Sequence, residues 1–233
     1  MSVKYIFDVD GTLTPSRGVI NIEFRRFMNQ FASKNTIYFV TGSDREKTVE
    51  QITETLYNKA KRVYQCNGND IWKQFVRLYS SEIELSVGLR CDLHKELKRS
   101  KFPVRGGIHI EERPGLINFS IVGRGSVSSD RTRYVKWDKK YSERKQIADR
   151  LREVHTDYDI QVAGEIGIDI TYKGNNKSQI LKHFKEEDNL WFFGDMTQYG
   201  GNDHEIAKAI ANRGGKVFTV STWRNTWNIL KTL

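Results

Sequence analysis

The chain opens on a short apolar run, residues 3–7 (VKYIF), which is β-branched and aromatic apart from Lys4 and stops at Asp8. A run of that length and composition predicts a buried strand. Residues 22–31 switch to helical spacing, and residues 36–40 (TIYFV) return to strand. Ser43-Asp44-Arg45-Glu46 reads as a capping box opening a helix that runs towards Ala60. Residues 63–66 predict a third strand, closed by Asn67-Gly68. This βαβαβ rhythm is that of a parallel sheet covered by helices. From about residue 81 the pattern changes to a helix over 82–99, a strand pair over 108–112 and 116–122 around Pro114-Gly115, a charged helix over 143–154, and strands over 158–162 and 166–171. Antiparallel pairs with helices predict a separate α+β unit. The first rhythm then resumes, with a helix from Lys177, a strand over 190–193, a helix from about Asp203, a strand over 217–220 and a last helix. The expected fold is therefore α/β: a doubly wound, Rossmann-like parallel-sheet core made of residues 1–80 and 173–233, with an inserted α+β cap over 81–172.

This layout gives the acidic positions a meaning. Asp8 and Asp10 follow the first strand, and Asp195 follows the strand ending in Phe192-Phe193, so three carboxylates are expected at one edge of the sheet, where open parallel sheets bind ligands. Carboxylates so close stay ionised together only if a cation or hydrogen bonds offset their repulsion. Oxygen ligands in that number suit Mg²⁺, with Asn202 and Asp203 available as further or outer ligands. Thr41-Gly42 at the end of the second strand offers a hydroxyl and backbone N–H groups to a phosphoryl oxygen, and Lys177 follows Gly174-Asn175-Asn176. Singly, each is more often a turn, cap or solvated residue; in this order they are the parts of a phosphoryl-transfer site.

Composition narrows the partners. No apolar run approaches the roughly 20 residues of a membrane helix, and the apolar start is cut off by Asp8 too soon for a signal peptide, so a cytoplasmic protein with no membrane partner is expected. Cys66 and Cys91 are too few and too scattered for a disulfide framework. The formal charge of +9 is spread along the chain instead of forming a stripe or tail, which argues for small anions such as phosphate esters over nucleic acid.

Asp8-Val9-Asp10-Gly11-Thr12, Thr41-Gly42, Lys177 and Gly194-Asp195 resemble, in order, the four motifs of the haloacid dehalogenase superfamily of phosphotransferases. More narrowly, FDVDGTLTPSR, GSDREK, GLINFSIVGR and GGNDHE are similar to segments of the eukaryotic-type phosphomannomutases, nearly end to end. The resemblance implies interconversion of mannose 6-phosphate and mannose 1-phosphate, with hexose 1,6-bisphosphate as activator, Asp8 as nucleophile and Asp10 as acid/base. It also implies Mg²⁺ on Asp8, Asp10 (through its carbonyl) and Asp195, and a homodimer through the cap. Arg17, Arg113, Arg124, Arg131 and Asp169 fall where the family holds its phosphosugar, and guanidinium forks suit a phosphate. Gly167 stands where the family usually has serine, Met196 and Tyr199 where it commonly has Lys and Pro, and residues 207–209 (AKA) lack the acid some members use for a second ion. Hydrolysis of sugar phosphates or other small phosphoesters is the alternative reading, because water and a sugar hydroxyl can both accept the phosphoryl group.

Overall fold

The computed structural model describes residues 2–233. Strand β1 (Lys4–Phe7) lies between two parallel neighbours, β2 (Thr36–Val40) and β10 (Leu190–Gly194). The full sheet also takes in β3 (Arg62–Gln65), β4 (Asp70–Lys73), β5 (Val76–Ser80) and β11 (Lys216–Thr219), in the order β11-β10-β1-β2-β3-β4-β5. The chain winds outward from β1 in one direction and later returns to build β10 and β11 on the other side. The gap between β1 and β10 is thus a topological switch point, where a crevice opens at the carboxyl ends of the strands.

Alternation along the strands divides the core. Tyr5, Phe7, Phe39 and Phe193 face α1 (Ile22–Lys34) and α8 (Trp223–Leu230), while Ile6, Tyr38, Val40 and Phe192 face the 3₁₀ helix Lys177–His183 and α7 (His204–Asn212). Asn21 caps α1 by accepting from Glu23 N–H and Phe24 N–H. The helix expected to run on towards Ala60 is two, α2 (Arg45–Ile52) and α3 (Glu54–Lys59), broken at Thr53 with φ of 71°. Its cap also differs from the expected box: Asp44, not Ser43, accepts from Lys47 N–H at 2.8 Å. The β4–β5 hairpin was not predicted, and the helix expected from Lys177 is a short 3₁₀ helix.

A second, antiparallel sheet is inserted between β5 and the Lys177 helix. Its strands β6 (Ile108–Arg113), β7 (Leu116–Arg124), β8 (Tyr158–Ala163) and β9 (Gly167–Tyr172) run in the order β6-β7-β9-β8. One face is apolar: Ile117, Ile170 and Ile160 are in register and pack with Leu89, Leu93, Ile147 and Leu151 of α4 (Val87–Arg99) and α6 (Glu143–Val154). The intervening row is polar, with Asn118, Asp169 and Gln161 in register. Helix α4 begins at Val87 behind the cap Ser86, later than expected; residues 82–86 are not helical. A further helix, α5 (Ser128–Tyr141), was not predicted as such; it carries Arg131.

Candidate active site

The ends of β1, β2 and β10 deliver Asp8, Thr41 and Asp195 to one crevice, and the polar row of the cap sheet closes over it. The cleft, about 580 Å³ with the solvent-open space at its mouth included, is lined by Asp8, Asp10, Arg17, Thr41, Gly42, Arg113, Arg124, Arg131, Asp169, Asp195 and Asn202. Of the residues expected in the site, Lys177 and Asp203 lie behind the cleft, fully buried.

Lys177 organises the floor. Its Nζ donates to Asp8 Oδ1 and to Asp203 Oδ1, both at 2.7 Å. Burial alone would lower its pKa, but the two carboxylates outweigh it and hold the ammonium charged well above the usual lysine range. Asp203 is partnered at both oxygens, since its Oδ2 also accepts from Met196 N–H at 3.1 Å. Asp8 is not: its Oδ2 is buried and has no hydrogen-bond partner. Burial raises the Asp8 pKa to about 7, with Asp203 and Asp10 adding and Lys177 opposing; burial followed by Asp8 and Asp203 pushes Asp195 to about 9. Carboxylate oxygens of Asp8, Asp195 and Asp203 all lie within 4.8 Å of one another. Such a group, with one ammonium and an unpartnered oxygen, fits a hard divalent cation such as Mg²⁺. Gly11 makes the arrangement possible, because its φ of +81° favours glycine and a Cβ there would collide with Asp195 Oδ2.

The Asp10 side chain points elsewhere. It accepts from Arg17 N–H at 2.5 Å, Gln51 Nε2 at 2.9 Å and Ser43 Oγ at 3.3 Å, so its carboxylate is outside the three-acid group and only its main chain is left for an ion. Arg17 holds this contact with a left-handed backbone, φ 55°, a costly conformation that the surrounding structure maintains. Thr41 is buried, and its Oγ1 accepts from Ser43 N–H at 3.1 Å.

Cap and core meet across Gly42 and Asp169. Asp169 Oδ2 would lie 2.7 Å from a Cβ at Gly42, so glycine is needed for this approach. Arg113 Nη1 donates to the Gly42 carbonyl at 2.6 Å. Asp169 also accepts from Asn118 Nδ2 at 2.7 Å and Asn67 Nδ2 at 3.4 Å. Burial raises its pKa, with Arg113 and then Asn118 opposing. The Gly167 departure has a steric counterpart: a Cβ there would come within 2.6 Å of Asn118 Nδ2, so Asn118 occupies the space of a side chain at 167. The roof is cationic. Arg113 and Arg124 share Glu111 at 2.5 and 3.0 Å, and Arg131 lies 3.5 Å from Glu165. Burial, then Arg113 and Arg17, lower the Arg124 pKa to about 10, as in a group of cations short of counter-charge. Glu111, Glu165, Asn118 and Gln51 were not singled out from sequence as site residues, and Ser43 and Asn67 were read only as cap and turn residues.

The parallel sheet, the crevice at its switch point and the acid–lysine floor define the class: an enzyme of the haloacid dehalogenase superfamily with an inserted cap. Solved structures agree on the fold. The N-terminally truncated, IMP-bound IMP-nucleotidase of Plasmodium falciparum superposes with a TM-score of 0.63 at 16% identity, covering 99% of this chain and 68% of that one. A trehalose-6-phosphate phosphatase related protein gives 0.56 at 16% identity, covering 98% and 96%. The eukaryotic phosphomannomutase family pattern matches residues 24–233. Phosphomannomutase of Oryza sativa subsp. indica is 32% identical over 213 residues, 88% of this chain and 86% of its own length. Phosphomannomutase 1 of Dictyostelium discoideum is 32% identical over 239 residues, 98% and 95%. The chain belongs to the eukaryotic phosphomannomutase family.

Proposed function

We propose that this protein is a Mg²⁺-dependent phosphomannomutase that interconverts mannose 6-phosphate and mannose 1-phosphate by way of a phosphoryl group carried on Asp8. The observation that carries the reading is the two-ended cleft. Asp8, Lys177 and Thr41 form a phosphoryl-transfer floor, and Arg113, Arg124 and Arg131 form a second anion grip opposite it. A substrate with phosphate, or a place for phosphate, at both ends of a hexose suits a cleft with such groups on both sides.

In this reading Asp8 attacks phosphorus in line as the leaving oxygen takes a proton from Asp10, which Gln51 and Arg17 N–H orient. Thr41 and Lys177 offset the charge on the equatorial oxygens. Asp8, Asp195 and the Asp10 carbonyl would hold Mg²⁺, with Asp203 and Asn202 in the outer shell; the ion would neutralise charge developing on the transferred group. A sugar hydroxyl then takes the phosphoryl group, passing its proton to Asp10, while hexose 1,6-bisphosphate primes Asp8. Asp169 accepts from sugar hydroxyls. Residues 81–172 act as the specificity cap on a core of 1–80 and 173–233. The two free cysteines, Cys66 and Cys91, suit a cytoplasmic setting, and the reading includes a homodimer through the cap.

The test is incubation with mannose 1-phosphate and a trace of hexose 1,6-bisphosphate, followed by ³¹P NMR. Mannose 6-phosphate supports the mutase; inorganic phosphate alone replaces it with the phosphatase. Two further results are expected. Arg124→Ala and Arg131→Ala each remove charge-assisted bonds worth about 1.5–3 kcal/mol, lowering kcat/KM for hexose phosphates roughly ten- to hundredfold while sparing a small aryl phosphate. Steady-state assays on both substrates check this, and equal losses on the two would remove the arginines from the distal phosphate. Mg²⁺ should also raise the melting temperature, since it binds only the folded acid group; saturation at about 100 times Kd is worth roughly 2.7 kcal/mol. Asp195→Asn should shrink that shift, and a melting temperature indifferent to Mg²⁺ would contradict the proposed ion site.

A further inference from the structure

The loop that joins Asp195 to Asp203 is fastened to the cap through the main chain. Strand β8 is an edge of the cap sheet and pairs with β9 on one side only. From its free side Val162 N–H donates to the Gly200 carbonyl at 3.0 Å, and Val162 and Gly201 form an isolated parallel bridge. Arg152 of α6 reinforces the seam: its Nε donates to Ile160 O at 2.6 Å, its Nη1 to Asp149 Oδ1 at 2.7 Å, and its Nη2 to Gly200 O at 3.5 Å. The far end of the loop holds the floor, since Met196 exchanges hydrogen bonds with Asp203, Asp203 N–H to Met196 O and Met196 N–H to Asp203 Oδ2, both at 3.1 Å, and Asp203 binds Lys177. A cap seated on the core is therefore bonded to the segment that carries two of the three clustered acids. Arg113 on the Gly42 carbonyl is a second point of attachment, across the cleft.

We propose that the Val162–Gly200 hydrogen bond, with Arg152, is a latch that keeps the cap on the acid loop while Asp8 carries the phosphoryl group, so that Val162 and Arg152 are positioning residues for the choice of acceptor. The proposal rests on the mutase reading. In either outcome an oxygen bonds to phosphorus as the bond from phosphorus to the Asp8 oxygen breaks, regenerating the carboxylate, and the incoming oxygen gives its proton to Asp10. With a sugar hydroxyl the product is a hexose phosphate ester; with water it is inorganic phosphate. A cap that lifts more often admits more water.

Val162→Pro is the sharpest variant. It removes the donor of this hydrogen bond on the side of an edge strand that faces away from β9, the position at which a sheet tolerates proline. Arg152→Ala is the second variant, should Val162→Pro fail to fold by its thermal melt. In both, the ratio of inorganic phosphate to isomerised hexose phosphate in ³¹P NMR should rise about three- to tenfold, the scale of one net hydrogen bond. An unchanged ratio in folded variants overturns the proposal. Amide hydrogen exchange supplies a readout without turnover: the Val162 N–H should exchange slowly in the unaltered protein and about three- to tenfold faster in Arg152→Ala. Exchange at the rate of an exposed turn amide in the unaltered protein also overturns it. If the unaltered protein releases only phosphate, the mutase reading fails by itself. The latch is then judged on hydrolysis of the phosphoenzyme, which must accelerate about three- to tenfold in the folded variants for it to stand.

Discussion

Asp8→Asn is expected to lower turnover by about 10⁴-fold or more, because an amide cannot serve as the nucleophile. It should do so without unfolding the protein, and the metal-free variant should melt at or above the temperature of the unaltered protein. The floor holds the carboxylates of Asp8, Asp195 and Asp203 against the single ammonium of Lys177, with Asp8 and Lys177 fully buried from solvent on their side-chain atoms or nearly so. Exchanging one carboxylate for an isosteric amide removes like-charge repulsion, and the amide oxygen can still accept from Lys177 Nζ. The variant should also respond less to Mg²⁺, since the unpartnered Asp8 Oδ2 loses its charge. Turnover assays with paired thermal melts check all three points; substantial retained activity would remove Asp8 from its role.

Lys177→Ala should damage both activity and stability. Lys177 is 0% exposed and touches Asp8 and Asp203 at 2.7 Å each. Removing one partner from a buried ionic group leaves uncompensated charge, a loss of about 3–5 kcal/mol. Hexose phosphate and aryl phosphate reactions should both fall, by about 10²–10³-fold, because the lysine acts on the phosphoryl group in transfer and not on the distal end. Lys177→Met, which keeps most of the volume, should recover packing but not turnover. Mg²⁺ should restore part of the melting temperature by supplying positive charge to the same acids. A stable, aryl-phosphatase-competent Lys177→Ala would show that the ammonium is not needed for transfer.

Strands β1, β2 and β10 were readable because each is an apolar run that ends on a chemical residue. Phe7 runs into Asp8, Val40 into Thr41, and Gly194 into Asp195, so the strand ends that converge in space were already marked along the chain. The elements that escaped have physical reasons. All five residues of β5 are exposed at the edge of the sheet, so no burial pattern marks it. Helix α5 buries only Tyr134 along 14 residues and carries charge on most of its surface, which erases the helical stripe. The break at Thr53 comes from a backbone conformation that threonine does not advertise.

Within the site, the acids and Lys177 were legible from motif order, whereas their partners were not. Glu111 beside Arg113 in sequence reads as an ordinary surface pair, yet it also binds Arg124 across the β6–β7 hairpin. Asn118 meets Asp169 only because β7 and β9 pair in that register, and Asn67 reaches the same carboxylate from the core. Such contacts depend on strand register within the cap and, for Asn67, on the cap folding against the core, neither of which local pattern encodes. Asp203 was read as a further or outer ligand; in the structure it lies behind the cleft and accepts from Lys177 and Met196 N–H.

The most direct measurement of the central claim is to quench the enzyme during turnover on hexose phosphate, reduce any acyl phosphate with borohydride, and map the peptides by mass spectrometry. Reduction converts an aspartyl phosphate into homoserine. Homoserine at position 8, absent without substrate and absent from Asp8→Asn, is the predicted result. Turnover that proceeds with position 8 unmodified, or with the label at Asp10 or Asp195, would contradict transfer through Asp8.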